Sequence, residues 1–316
     1  WDVGVERQVQ IKGPDAEALS QFLTPRNIKK CSKGQAMYAP FLDFKGGFIN
    51  DPVMLKINED CYWFSLADGD ALLWAQGIAA GYKFDVDIHE PDVSPLQVQG
   101  PNSKALMAKV FGDWVNDLGF YRFKEINHEG IPMVIARMGY SRELCYEIFL
   151  QDKSKGDELW EILWQAGQGL NISGGTPNII LRLEGGILSY LADIDRSNNP
   201  FEVGLDWIVD LDQKDDFIGK EALGKIKLNG PKRKLMGAEI PGDPITAFNE
   251  EHWPVLIDGS KIGSMNALVY SPRLDKNICY TILEIEHAKI GQEITICSPE
   301  KEFKGITVDL PWVERA

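Results

Sequence analysis

Cysteine is scarce in this 316-residue chain, and its five copies, Cys31, Cys61, Cys145, Cys279 and Cys297, are an odd number with no C-x-x-C spacing. That pattern argues against a disulfide framework or a thiolate metal site and predicts reduced, buried thiols in a cytoplasmic compartment. Histidine is scarcer still. His89, His128, His252 and His287 are far apart, and none has a His or Cys partner three or four residues away, so no zinc spacing is present and no metal is expected. Positive charge is also in deficit, with 33 Lys and Arg against 47 Asp and Glu and a net charge of -14. Such a field repels phosphate backbones and anionic lipid, which disfavours nucleic acid and membrane partners. The longest apolar stretch, residues 178–192, is interrupted by Arg182 and Glu184 and falls short of the roughly 18 uncharged residues a spanning helix needs. There is no G-x-G-x-x-G, no G-x-x-x-x-G-K-[ST] and no G-x-S-x-G, so dinucleotide, P-loop and serine-hydrolase chemistry lose their signatures. The chain opens at Trp1 with neither a basic n-region nor an apolar h-region; no signal peptide is read, and a native start is expected to be missing.

What is present is organised as a repeat. An alternating strand meets Gly13-Pro14-Asp15 and then Ala18-Leu19, and the same sequence of signals returns at Gly100-Pro101-Asn102 and Ala105-Leu106, a constant offset of 87 residues. Asp15 and Asn102 are placed to cap the amphipathic helices 16–23 and 103–111. Hairpins follow, one over 36–57 turning at Lys45-Gly46-Gly47, the other over 121–138 turning at His128-Glu129-Gly130. Second helices are predicted over 68–80 and 156–166, and a strand at 84–88 closes the first copy. The order reads β-α-β-β-α-β twice, an α+β fold of two ferredoxin-like lobes. Residues 179–191 carry a helical period, and 224–234 read as a linker rich in Gly, Lys and Pro. Beyond it, short runs at 236–240, 255–257, 261–265, 278–285, 293–297 and 303–308 predict a small C-terminal β-barrel. A boundary is placed so that 1–231 form one unit and 232–316 the other.

A few polar residues stand where apolar ones are expected. Asp51 lies in Asn50-Asp51-Pro52, interrupting a strand of Phe48, Ile49, Val53, Met54 and Leu55; Pro52 marks an edge or bulge. An acid there is either a simple edge residue or one aimed into a cleft, where burial raises its proton affinity and suits acid-base work. Tyr140 and Glu147 bracket a turn leading into the run 146–150, in which Glu147 is either solvent-facing by alternation or a buried carboxylate awaiting N–H donors. Arg182 and Glu184 pose the same question, with an internal ion pair as the plainer reading.

Read together, Gly46-Gly47-Phe48-Ile49-Asn50-Asp51, Gln99-Gly100-Pro101, Gly139-Tyr140-Ser141, Tyr146-Glu147-Ile148, Arg182-Leu183-Glu184-Gly185-Gly186, residues 200–205 and Asp216-Phe217-Ile218-Gly219-Lys220 resemble, in order and nearly end to end, the aminomethyltransferase (glycine-cleavage T-protein) superfamily. Within it, residues 1–8, 22–27, 49–52 and 72–75 are most similar to dimethylsulfoniopropionate demethylases. T-proteins carry two adjacent aspartates where this chain has Asn50-Asp51, and a T-G-E-x-G where it has residues 141–145. The cysteine motif of the folate-binding iron-sulfur maintenance proteins is replaced by Asp216-Phe217-Ile218-Gly219-Lys220-Glu221.

The resemblance implies two lobes and a barrel around a central folate cavity, with tetrahydrofolate as co-substrate and no metal. Asp51 then matches the acid near the reacting folate nitrogen and is the catalytic candidate. Glu147 matches the carboxylate on the pterin amino edge, and Tyr38, Tyr140 and Arg182 match positions lining the folate site. Phe149 stands where relatives carry a tyrosine. Trp114, Phe120 and Tyr121 are candidate walls for a substrate cation, and Arg26, Lys29, Lys30 and Lys33 for the anionic folate tail. The implied reaction moves a sulfonium methyl to N5 of tetrahydrofolate, giving 3-(methylthio)propanoate and 5-methyltetrahydrofolate. Glycine-cleavage aminomethyl transfer and non-catalytic folate binding are the alternatives. The expected partners are small molecules, with a homodimer left open.

Overall fold

In a computed structural model the protein is described over residues 1–67, 69–245, 249 and 251–314. The first lobe runs β1 (Glu6–Lys12), α1 (Ala16–Leu23), β2 (Ala36–Tyr38), β3 (Phe41–Leu42), β4 (Phe48–Asn50), β5 (Val53–Asn58), β6 (Cys61–Ala67), α2 (Ala71–Tyr82) and β7 (Asp87–His89). Its main sheet has the order β2-β5-β6-β1-β7, and β3 and β4 form a separate two-stranded sheet. The second lobe runs β8 (Ser94–Gln99), α3 (Ser103–Phe111), β9 (Phe123–His128), β10 (Ile131–Ala136), β11 (Cys145–Leu150) and α4 (Gly156–Ala166), in a sheet ordered β8-β11-β10-β9. Because β11 lies beside β8 as β6 lies beside β1, the 87-residue echo is a structural repeat.

Each lobe carries three sheet strands between its helices, not the two expected. The turn at Lys45-Gly46-Gly47 belongs to the small β3–β4 sheet, where Asp43 Oδ1 accepts from the Lys45 and Gly47 amides at 2.8 and 3.0 Å. The hairpin of the main sheet is β5–β6. Strand β6 escapes sequence reading because its first six residues, Cys61 to Leu66, are all buried, so the run shows no alternation. Both faces of it are covered: Tyr62, Phe64 and Leu66 join α1 and α2 in one core, while Trp63 faces the other sheet. The second hairpin turns as expected, with Glu129 and Gly130 both in the left-handed region, at φ 52 and 88, the geometry a tight two-residue turn requires.

Four further expectations change. Asp15 and Asn102 make no side-chain cap; Asp15 accepts from the Asp85 amide at 2.8 Å and Asn102 donates to the Leu170 carbonyl at 3.0 Å, so each ties a helix start to a distant segment. The helix expected over 68–80 begins at Ala71, and Asp68 lies outside the described residues. The apolar run 179–191 is helical only in α5 (Ile179–Glu184), since Gly185 and Gly186, the latter at φ 67, end it. The supposed linker is mostly α6 (Lys220–Asn229).

The barrel comprises β12 (Arg233–Ile240), β13 (Trp253–Ile257), β14 (Ser260–Ser271), β15 (Lys276–Glu284), β16 (Glu293–Cys297) and β17 (Glu302–Val308), closed in the order β12-β15-β14-β13-β16-β17. Closure leaves no free sheet edge. Its interior is packed by Met236, Val255, Met265, Leu268, Leu283 and Ile296, while its outer side packs on α5 and α6 through Ala267, Val269, Tyr280 and Ile282. Among the described residues no helix is long and apolar enough to cross a membrane.

The two lobe sheets pack face to face. Ala36, Leu55, Ile57 and Trp63 from the first meet Phe123, Val134, Ala136 and Phe149 from the second, and Ala36 donates to the Tyr121 carbonyl at 2.8 Å. Toward the other end of the same faces the side chains are polar: Glu6, Gln8 and Ser65 on the first sheet, Gln97 and Glu147 on the second. A polar region enclosed by two apolar sheets is costly unless its groups find partners, and the sequence-predicted Glu147 lies in it.

Candidate active site

Asp51 sits in the two-residue link by which the chain leaves β4 and enters β5. Pro52 is tolerated because the link needs no ladder donor, and its carbonyl accepts from the Ala39 amide at 2.9 Å. Buried Asn50 turns its own side chain back, accepting from the Asp51 amide at 2.8 Å, which fixes the acid's backbone. Tyr38 pairs in register with Val53, placing its ring beside the link, and its hydroxyl donates to Asp51 Oδ2 at 3.1 Å. Burial pushes Asp51 up to about 7; the Tyr38 hydrogen bond pulls back, Asp193 pushes further, and Arg182 opposes it. A carboxyl with that affinity exchanges a proton near neutrality, and Asp51 stands half-buried beside Tyr38.

Glu147 lies mid-strand in β11, between Gln97 on β8 and Ala136 on β10, and is 2% exposed. Alternation sends it to the face opposite Tyr146 and Ile148, which pack under the helices, so it enters the inter-sheet space. Its Oε2 is buried with no hydrogen-bond partner, as is the Gln97 Oε1 beside it. Burial first and Glu6 second raise Glu147 well above the ordinary carboxylate range. Glu6 itself accepts from Ser65 Oγ at 3.2 Å, and Gln8 Nε2 donates to the same hydroxyl at 3.0 Å; burial lifts Glu6 to about 7 against that hydrogen bond.

Tyr140 and Arg182 both hold the segment after α5. Tyr140 donates to the Leu188 carbonyl at 3.3 Å. Arg182, 3% exposed, donates to the Ile187 carbonyl at 3.0 Å and pairs closely with Asp193, whose Oδ2 also accepts from the Ser189 amide at 2.8 Å. Arg182 and Glu184 each enter an internal ion pair, though not with one another. Glu184 instead binds Arg273, at 2.9 Å from its Nε, and Ser271 at 2.5 Å, while Arg273 also reaches Glu143 at 2.9 Å. Positions two apart on a helix point apart, so Glu184 anchors the barrel while Arg182 turns toward Asp193 and Asp51.

The aromatic candidates separate. Tyr121 packs against the inter-sheet cluster and raises Tyr38 electrostatically; Phe120 lies against it with ring centroids 4.2 Å apart. Trp114 belongs elsewhere: its indole N–H donates to the Phe111 carbonyl at 2.7 Å, Lys124 covers its face at 4.6 Å, and it packs into the core beneath α3 and α4. The structure therefore brings Tyr38, Asp51, Tyr121, Tyr140 and Arg182 together, sets Glu147 in the inter-sheet space with Glu6 and Gln97, and leaves Trp114 apart.

Sequence reading missed Glu6, Gln97, Asp193 and Trp207. Trp207, in the 3-10 turn Asp206–Ile208, stacks near-parallel on Tyr38 at 6.5 Å and 27°. Glu6, Gln8 and Gln10 alternate with apolar residues on β1, and the available signal is the repeat, since it implies a second sheet to cover that face.

The GCVT N-terminal domain family matches residues 1–213, and the glycine cleavage T-protein C-terminal barrel domain matches 233–314. The dimethylsulfoniopropionate demethylase of Ruegeria pomeroyi is 41% identical over 95% of this chain and 81% of its own length. The aminomethyltransferase of Halothermothrix orenii is 31% identical over 99% of this chain and 87% of its own. The crystal structure of the glycine cleavage system aminomethyltransferase T from Bartonella henselae shares the fold, with TM-score 0.86 and 22% identity over 99% of this chain and 86% of that one. On the family matches and these identities, the chain belongs to the glycine cleavage T-protein (aminomethyltransferase) family.

Proposed function

We propose that the protein demethylates dimethylsulfoniopropionate, transferring one sulfonium methyl to N5 of tetrahydrofolate. The observation that carries this reading is Asp51, poised near neutrality and held by Tyr38, in the same inter-sheet space as the unpartnered Glu147 oxygen. The higher identity to the demethylase than to the aminomethyltransferases chooses the donor. Residues 1–231 form the folate-binding unit and 232–316 the barrel that braces it. The buried thiols of Cys31, Cys61 and Cys279 suit a cytoplasmic enzyme with small-molecule partners.

The residues fit a folate. Buried, unpartnered acceptors on Glu147 and Gln97 call for a flat edge rich in N–H donors, and a carboxylate meets a paired N–H edge in two parallel hydrogen bonds. Tetrahydrofolate, when bound, supplies a nucleophilic secondary amine. Glu147 orients the pterin edge, and Tyr38 fixes the Asp51 carboxylate. In the transfer the S–CH3 bond breaks with its electron pair left on sulfur, an N–CH3 bond forms, and Asp51 takes the amine proton. No oxidant is required, so the protein's contribution is alignment, exclusion of water and proton acceptance. Tyr140 and Arg182 hold the wall from Gly185 to Asp193, and Phe120 and Tyr121 offer aromatic faces to the sulfonium, each worth about 0.5–2 kcal/mol.

Product analysis by NMR or mass spectrometry, after incubation with tetrahydrofolate and dimethylsulfoniopropionate, tests the reading. We expect 3-(methylthio)propanoate and 5-methyltetrahydrofolate in equal amounts. Turnover that instead needs an aminomethyl-lipoyl carrier and yields ammonia would assign the chain to glycine cleavage.

A further inference from the structure

Four cations cluster after α1, at Arg26, Lys29, Lys30 and Lys33, and the structure distinguishes among them. Lys29 pairs with Asp215 at 2.8 Å and Lys30 with Asp210 at 2.9 Å, while Lys33 is exposed. Arg26 differs from all three. It is half-buried, and among the described residues no carboxylate pairs with its guanidinium. Its Cζ lies 4.8 Å over the ring of Trp207, the same indole that stacks on Tyr38, whose hydroxyl holds Asp51. A line thus runs from the proton-accepting acid through two aromatic rings to a guanidinium without a counter-ion.

The position is built, not incidental. Gln21, buried, donates to the Arg26 carbonyl at 2.7 Å and accepts from the Ile28 amide at 3.0 Å. The Arg26 amide reaches Thr24 Oγ1 at 3.4 Å, and the Pro25 carbonyl accepts from the Asp210 amide and from Gln213 Nε2, each at 3.1 Å. Both sides of the turn are therefore fixed. A cation half-removed from water without an anion is costly, and burial lowers the proton affinity of Arg26 from its usual value. The planar fork, already stacked on an indole, is suited to bidentate contact with a carboxylate.

We propose that Arg26 receives a carboxylate of a bound co-substrate and so selects which ligands the site accepts. This rests on the demethylase reading, which offers two carboxylates, the propionate of the sulfonium donor and the glutamate of the folate tail. The chemistry is the same for both, and matched analogues separate them.

The test compares wild type with Arg26→Gln and Arg26→Lys. Equilibrium binding is measured for tetrahydrofolate and for 6-methyltetrahydropterin, which lacks the benzoylglutamate; KM is measured for dimethylsulfoniopropionate and for dimethylpropylsulfonium, which lacks the carboxylate. We expect Arg26→Gln to weaken one carboxylate ligand about tenfold or more, to leave its carboxylate-free analogue within twofold, and to be partly rescued in Arg26→Lys. A loss on tetrahydrofolate assigns Arg26 to the tail, and a loss on the sulfonium assigns it to the donor. Unchanged constants for both carboxylate ligands, or equal losses for ligand and analogue, overturn the proposal. A wild-type protein that binds tetrahydrofolate without demethylating would sink the demethylase reading, whereas the binding comparison would still decide the role of Arg26.

Discussion

Glu6 and Glu147 enter one space from two different sheets, and ionising is costly for both: Glu147 is pushed well above the carboxylate range by burial and then by Glu6, and burial lifts Glu6 to about 7 against its Ser65 hydrogen bond. Both bind a proton more tightly folded than unfolded. The stabilising contribution of each is complete below the unfolded carboxylate pKa and is lost as pH rises through its folded value, about 7 for Glu6 and well above the ordinary carboxylate range for Glu147. The ligand-free protein should accordingly melt at lower temperature at pH 8 than at pH 5. Glu147→Gln should flatten that slope and raise Tm at pH 8 by about 2–4 °C, while weakening tetrahydrofolate about tenfold or more. Parallel melting curves for wild type and variant would refute the shared titration.

The same physics makes Asp51 a kinetic reporter. Only its ionised form accepts a proton, so kcat should rise with pH through about 7. The Tyr38 hydrogen bond lowers the Asp51 pKa, and Tyr38→Phe should move the midpoint upward. Asp51→Asn should cost about 100-fold or more in turnover with tetrahydrofolate affinity kept within a few-fold. An unchanged rate in Asp51→Asn removes the assigned role.

How much of this was legible in the sequence follows from burial pattern. Gly-Pro signals, the Glu129-Gly130 turn and the short runs of the barrel declared themselves because local chemistry sets them. Strand β6 did not, since a strand covered on both faces loses its alternation. Asp51 was visible as an acid beside a proline within apolar residues. Glu6 was not, because an acid on an alternating strand reads as solvent-facing until the partner sheet is known. Nor can one sequence choose between Asp193 and Glu184 as the partner of Arg182, for that depends on where the chain returns after Gly186.

That partnership carries its own expectation. Arg182 and Asp193 are 3% and 1% exposed, and Asp193 Oδ1 has no other partner. Removing one member strands a buried charge, at about 3–5 kcal/mol, whereas replacing both with apolar residues of similar volume is often neutral. Arg182→Ala should therefore lower the urea midpoint sharply, and Arg182→Met with Asp193→Leu should recover most of it. Turnover should stay low in the double variant, because the wall from Gly185 to Asp193 loses its Arg182 contact to the Ile187 carbonyl. A double variant as unstable as Arg182→Ala would show that the pair is not a closed unit.

The two aromatic groups offer a last separation of packing from recognition. Trp114 spends its N–H on Phe111 and its ring on Lys124 and the helix core, whereas Tyr121 lies by Tyr38, with Phe120 against its ring. A cation held by the second group loses about 0.5–2 kcal/mol per face removed, or roughly 2- to 30-fold in affinity. Tyr121→Leu should raise KM for dimethylsulfoniopropionate within that range at little cost to tetrahydrofolate binding. Trp114→Phe should lower Tm by a few degrees, through the lost hydrogen bond and contacts, with KM unmoved. The reverse pattern, a KM that follows Trp114 and ignores Tyr121, would place the sulfonium on the opposite face of the second sheet and displace Asp51 from the chemistry.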